Sequence, residues 1–248
     1  MNNQILPDLT QEATRVSAAI QDSKLRVKLM GGLAVWLQSP SARLPILRRD
    51  YGDLDFIAVK KDVTPFSKLL TNIGYTEDKR FNAIHGATRL IFIDEENNRP
   101  VDLLVDNFKM CHEIELKDRL SIEGPTISIS DLFLTKLQIV KITKKDLLDL
   151  TSLIIDHEIS NTGIDLKYIT KILSGDWGFE RTVLLNLDRL LAFSSEILDD
   201  PKTTKIGEDK INIIQKNIRD SNKTINYKLR AKIGERVIWY EEPDELIH

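Results

Sequence analysis

The chain has 248 residues, 42% of them hydrophobic and 29% charged, with a formal net charge of −3. This is the composition of a soluble globular protein of one or two domains, with enough chain for a substantial core. No apolar run approaches the ~20 residues of a membrane-spanning helix, Met1-Asn-Asn-Gln-Ile-Leu-Pro-Asp8 has no signal-peptide pattern, and the single cysteine excludes an intrachain disulfide, so a cytoplasmic location with no membrane partner is expected.

Apolar periodicity predicts a helix over 9–22, a strand over 26–30, a helix over 31–39, a strand over 53–59, a helix over 64–73 and strands over 88–94 and 100–105. Two helices follow. One opens at Ser130-Asp131, an N-cap type with a first-turn acid, and runs through Leu132 to Lys141; the β-branched pair Ile142-Thr143 breaks it before a second from about Lys144. Beyond residue 157 nearly everything has helical period: Asp165 to Leu173, a helix around Phe179 to Asp199, and a long polar helix after Lys210. The expected class is therefore α+β, with a mixed sheet and helices on one side of it over 1–157 and an all-helical domain over 158–248.

Two features carry chemistry. Gly31-Gly32 separates a short strand from the helix Leu33–Gln38, so it sits at a helix N-terminus, where N–H groups are unpaired and the absent Cβ lets a phosphate approach. Asp53 and Asp55, two apart on the next strand, project together, while Leu54, Phe56 and Ile57 pack inward. Paired carboxylates with substrate phosphates and water are a site for Mg²⁺ or Mn²⁺. Asp102, an isolated acid in the apolar run Val101–Val105, offers a third carboxylate whose burial a metal would offset.

These residues resemble the signature of the nucleotidyltransferase superfamily, the fold of DNA polymerase β: a helix-opening Gly-Gly, then Asp-x-Asp, then a carboxylate on a later strand. More narrowly, the chain resembles the bacterial AbiEii and AbiGii toxin type nucleotidyltransferases, through Leu134-Thr135-Lys136-Leu137 and Lys144-Lys145-Asp146-Leu-Leu-Asp149. The likeness covers about residues 25 to 157. Twenty residues, Leu33 through Gly52, separate the glycines from Asp53, longer than is usual in the family; the excess falls in Ser39–Pro45, expected to be a surface loop reaching over the nucleotide.

The resemblance implies a metal-dependent enzyme that moves a nucleoside monophosphate from NTP to an acceptor hydroxyl and releases pyrophosphate. Gly31, Gly32, Arg49, Lys136 and Lys145 would bind nucleotide; Asp53, Asp55 and Asp102 would hold the metal; Lys136 and Asp146 would complete the catalytic set, with Asp149 supporting it. The alternative is an inactive protein of this fold that binds a nucleotide or a partner, such as a cognate antitoxin or regulatory protein.

Other residues have two readings each. Lys136, Asp146 and Asp149 fit either a phosphate site or an ordinary amphipathic helix pair. Arg48 and Arg49 fit either bidentate phosphate binding or neutralisation of Asp50 and Asp53. His85 and Arg89 would touch base or acceptor, or else be a loop histidine and a surface arginine. Cys111-His112 reads as packing, since adjacent side chains rarely face the same way and no second cysteine completes a zinc set. Residues 202–236 hold ten Lys or Arg against four Asp or Glu, a balance of +6 that suits either an RNA acceptor or a solvated helix face.

Overall fold

The computed structural model describes residues 4–242. The chain forms two compact units. One takes in the chain up to Gln38, Asp50–Phe108 and Ile114–Ser128; the other takes in Ser39–Arg49, Lys109–Glu113 and the chain from Ile129 on.

The first unit begins with α1 (Leu9–Ser23), whose N-terminus Asp8 caps by accepting from the N–H groups of Thr10 and Gln11. Ala13, Val16 and Ile20 recur at helical spacing and are buried. There follow β1 (Val27–Met30), α2 (Gly31–Gln38), β2 (Leu54–Ala58), α3 (Val63–Asn72), β3 (Thr76–Glu77), α4 (Lys79–His85), β4 (Arg89–Asp94) and β5 (Arg99–Val105). The strands make one mixed sheet in the order β1-β2-β5-β4-β3. β2 and β5 run parallel, as their long connection through α3, β3, α4 and β4 permits, and the other strand pairs of the sheet are antiparallel.

Phe56, Ile57 and Ala58 are fully buried, so β2 is covered on both faces along most of its length, whereas Asp55 near its start is half-buried. Phe56 meets Phe66 of α3 edge to face at 5.4 Å, and Phe92, Val101 and Leu103 extend the same core. Buried charge is paired: Glu12 of α1 accepts from Tyr75 Oη at 2.5 Å and from Arg15, and Asp94 bonds Arg99.

A short ribbon follows, β6 (Asn107–Lys109) with β7 (Glu113–Glu115). The second unit is helical: α5 (Ile129–Leu137), α6 (Lys144–Asp156), α7 (Leu166–Leu173), α8 (Trp177–Ile197), α9 (Pro201–Asp220) and α10 (Ile225–Ile233). Asp165, Asp176, Asp200 and Thr224 cap α7 to α10 with their side chains. Leu150, Leu153, Ile169, Leu187, Ile211 and Ile214 are among its fully buried core residues. Among the described residues no helix is long and apolar enough to cross a membrane.

The α+β class with a mixed sheet is as expected, and most element bounds fall within two residues of expectation. Four elements differ from expectation. The strand expected over 53–59 begins at Leu54, leaving Asp53 outside it. The helix expected to reach Lys141 stops at Leu137, and Asn186 of α8 satisfies the carbonyls of Leu137 and Ile139. The helix expected after Lys210 starts at Pro201, where Asp200-Pro201 supplies an N-cap and a first-turn proline. The surface loop expected over Ser39–Pro45 is instead partly buried. Pro40–Arg43 is a 3-10 turn of the second unit; Ser41 donates from its N–H and Oγ to Asp156 at 2.8 and 2.7 Å, and Ser39 Oγ lies 3.2 Å from His157 Nε2.

Candidate functional site

In the first unit the site is assembled by sheet register. β2 and β5 pair in parallel with Asp55 opposite Asp102, which puts both side chains on one face of the sheet. On the other side of β2, Met30 of β1 is the partner of Asp55, and Gly31 comes next as the first residue of α2. Gly31 has φ +68°, and a Cβ built on it would lie closer than 3.0 Å to Asp55 Oδ2. Glycine is therefore required twice: for the left-handed backbone, and for the carboxylate packed against its Cα. Gly32 continues the helix and is half-buried.

Asp102 is buried, and its counter-ion is Arg89 of β4, whose Nε donates to Asp102 Oδ1 at 2.5 Å. Ile91 is the register partner of Asp102, so Arg89, two residues away, shares its face. Asp102 is thus paired rather than isolated, and Arg89 is more than a surface arginine. The hydrogen bond to Asp102 holds the guanidinium pKa above its usual value, burial opposes it, and the charges of Asp102 and Asp55 add to the rise. Asp53 is exposed, one residue ahead of β2.

A second constellation lies within the second unit. Arg49 grips Asp149 of α6 with two parallel bonds, Nε to Oδ1 at 2.7 Å and Nη2 to Oδ2 at 2.8 Å. Lys136 Nζ of α5 lies 2.9 Å from Asp149 Oδ2 and 3.0 Å from Asp146 Oδ1. Asp146 also closes a capping box: its Oδ2 accepts from Thr143 N–H and Oγ1, while Thr143 Oγ1 accepts from Asp146 N–H. Burial pushes the Lys136 ammonium down, yet Asp149 and Asp146 outweigh it and raise its pKa. Burial likewise pushes Asp146 up, and Lys136 with Thr143 brings it below the usual carboxylate range. Arg49 and Lys136, expected to face phosphate, thus both engage Asp149, and the bidentate partner of Arg49 is neither Asp50 nor Asp53. Lys145 is exposed in the first turn of α6.

No protein-family model matches the chain, and no curated protein matches it either. The functional reading therefore rests on the geometry of the residues themselves.

The remaining candidates fall outside these two groups. His85 ends α4 and is exposed, its ring 4.6 Å from that of Phe81. Cys111 is buried. His112 stacks on Phe179 at 4.9 Å and its Nε2 pairs with Thr182 Oγ1 at 2.9 Å, which fits the packing role expected for both. The basic run is partly neutralised within the fold: Lys205 pairs with Asp209, Lys210 with Glu158, and Lys223 with Glu180. A cavity of about 470 Å³ in the first unit is lined by Ile20, Leu25, Lys28, Leu120, Ile122 and Pro125, among others, and by none of the expected site residues.

Two partners were missed in the sequence. Arg89 carried only a general cue, a cation on the strand beside an apolar run with an acid in it. The missed partner Thr143 carried a usable cue in Thr143-Lys-Lys-Asp146, because a hydroxyl residue followed three positions later by an acid is a helix-start signal.

Among the described residues no group of three or more His, Cys, Asp or Glu side chains is arranged to hold a metal ion. Two register-paired carboxylates, Asp55 and Asp102, remain. That donor set fits Mg²⁺ arriving with a triphosphate, since Mg²⁺ is commonly held by one or two carboxylates completed by substrate phosphates and water.

Proposed function

We propose that the chain is a metal-dependent nucleotidyltransferase that transfers a nucleoside monophosphate from NTP to an acceptor hydroxyl. One observation carries the reading: Asp55 and Asp102 share a sheet face in register, and the Asp55 carboxylate packs against Gly31 at the start of α2. The first N–H groups of α2 have no intrahelical acceptor, and its dipole favours an anion, so this end of the helix suits the phosphates.

Asp55 and Asp102 would hold Mg²⁺ or Mn²⁺; the ion would supply charge neutralisation and Lewis acidity at phosphate oxygens. In the transfer, the acceptor oxygen bonds to the α-phosphorus, the bond from that phosphorus to the bridging oxygen breaks, and pyrophosphate leaves. Asp102 would take the hydroxyl proton, and Arg89 would balance the local charge. In the second unit, Arg49, Lys136, Asp146 and Asp149 act as a buried ionic brace joining α5, α6 and the segment that carries Arg49.

A second reading is a protein of this kind that binds nucleotide without turnover. It is favoured by the engagement of Asp102 Oδ1 with Arg89 and by the exposure of Asp53. Pyrophosphate release separates the two. NTP binding with pyrophosphate released in the presence of an acceptor pool supports transfer, whereas binding with none released supports the second reading. The acceptor, whether RNA, protein or small molecule, follows from the labelled product.

A further inference from the structure

The most unusual surface in the second unit is α10. Ile225, Leu229 and Ile233 recur every four residues and are 77%, 56% and 46% exposed, and Val237 and Ile238 just beyond the helix are exposed as well. A helix on the surface of a globular unit normally turns such a stripe inward. Here the inward face is a different one. Tyr227 Oη donates to Glu180 of α8 at 2.8 Å, and the Arg230 guanidinium lies 4.8 Å over the Trp177 ring while donating to the carbonyls of Gly234 and Val237. The apolar stripe is therefore left outward by a helix that is already anchored on its opposite side.

The charges on the exposed face are arranged asymmetrically. At about 3.6 residues per turn, Lys228 and Lys232 fall three residues after Ile225 and Leu229 and border the stripe on one flank. Both are exposed, and neither takes part in an ion pair among the described residues. On the other flank stands Asn226, and the cation that would follow it, Arg230, is folded back onto Trp177. Helix α10 itself contains no acidic residue.

We propose that this face of α10 docks a protein helix whose own apolar stripe is edged on one side by acidic side chains. Apolar side chains at this spacing are the anchors by which one helix seats against another or in a groove. Lys228 and Lys232, without an ion pair among the described residues, line one flank, fix the orientation and call for carboxylates opposite them. A lipid surface is uniform on both sides of a helix and is matched by cations on both flanks, which α10 lacks. A second copy of α10 would bring lysines to a stripe already bordered by lysines, so self-pairing lacks the charge match.

The test uses the full chain and a fluorescein-labelled helical peptide with a leucine stripe edged on one side by glutamates, read by anisotropy. The peptide is expected to bind, to bind at least about tenfold more weakly to the Leu229→Ser, Ile233→Ser double variant, and to lose affinity equally to Lys228→Glu, Lys232→Glu. The charge-reversed variant is expected to bind instead a peptide with lysines in place of the glutamates. Circular dichroism melting of each variant guards against misfolding. Failure of the acidic peptide to bind, or equal binding by all variants, overturns the proposal. So does sedimentation with phosphatidylcholine–phosphatidylserine vesicles in place of peptide binding, or a dimer that Leu229→Ser dissociates.

Discussion

Asp55 and Asp102 lie in register across the parallel pair β2 and β5, and the carboxylate of the first rests against Gly31. A two-residue strand period and one hydrogen-bonded register suffice to bring acids 47 positions apart in sequence onto one face. A one-residue slip of β5 would send Asp102 to the opposite face and remove the pair.

Gly31→Ala tests the first consequence. The new methyl must adopt φ +68° and displace the Asp55 carboxylate, so the variant should lose about 1–2 kcal/mol in urea unfolding and should bind NTP more weakly. Gly32→Ala, at an ordinary helical position, should stay within about 1 kcal/mol of the parent. Equal behaviour of the two would show that Asp55 does not depend on Gly31.

Arg89→Met removes the counter-ion of a mostly buried carboxylate, and a loss of about 1–3 kcal/mol is expected because the pair retains some solvent contact. Mg²⁺ or Mn²⁺ should restore part of it, raising the melting temperature of the variant more than that of the parent. An equal rise in both would argue that Asp102 does not hold the metal.

Asp149 is the shared partner of Arg49 and Lys136. Asp149→Asn leaves two cations with a buried neutral amide and should cost about 3–5 kcal/mol. Lys136→Met leaves Asp149 on Arg49 and Asp146 in its capping box, so the loss should be the smaller of the two. The reverse order, measured by urea denaturation, would make Lys136 the centre of the brace.

His112 and His157 give a pH signature. Burial holds both below the usual imidazole range, against the pull of Asp176 and Glu241 on the first and of Asp156 on the second. As pH falls through about 6.5 the unfolded chain takes up protons first, so stability is full above that pH and declines toward the folded-state values, by at most about 1.4 kcal/mol per pH unit per histidine. Glu12 and Asp146, held below the usual carboxylate range, lose their contribution only at lower pH. Urea midpoints between about pH 5 and 7.5 should slope in the parent and flatten in the His112→Gln, His157→Gln double variant. An unchanged slope would assign the effect elsewhere.

Much of the first unit was legible because local and tertiary demands agree in it. Gly31-Gly32 and the apolar runs of β2, β4 and β5 each announce their element, whereas the period-two reading that joins Asp53 to Asp55 meets a strand that begins only at Leu54. Long-range pairing was not legible. Nothing near Asp102 in sequence names Arg89 as its partner, and nothing near Arg49 names Asp149, 100 positions away. Ser39–Pro45 was misread because proline and serine signal a chain break without saying whether the broken chain is solvated or, through Asp156 and His157, bonded into a helical core.

The central claim is tested most directly by incubating the full chain with each α-³²P-labelled NTP, Mg²⁺ or Mn²⁺, and a pool of RNA, protein and small-molecule acceptors, then separating the labelled products. Label is expected on one acceptor class and is expected to be lost in Asp55→Asn and in Asp102→Asn while both variants keep the circular dichroism of the parent. Label transfer that survives both substitutions, or measurable NTP binding with no transfer to any acceptor, would contradict it.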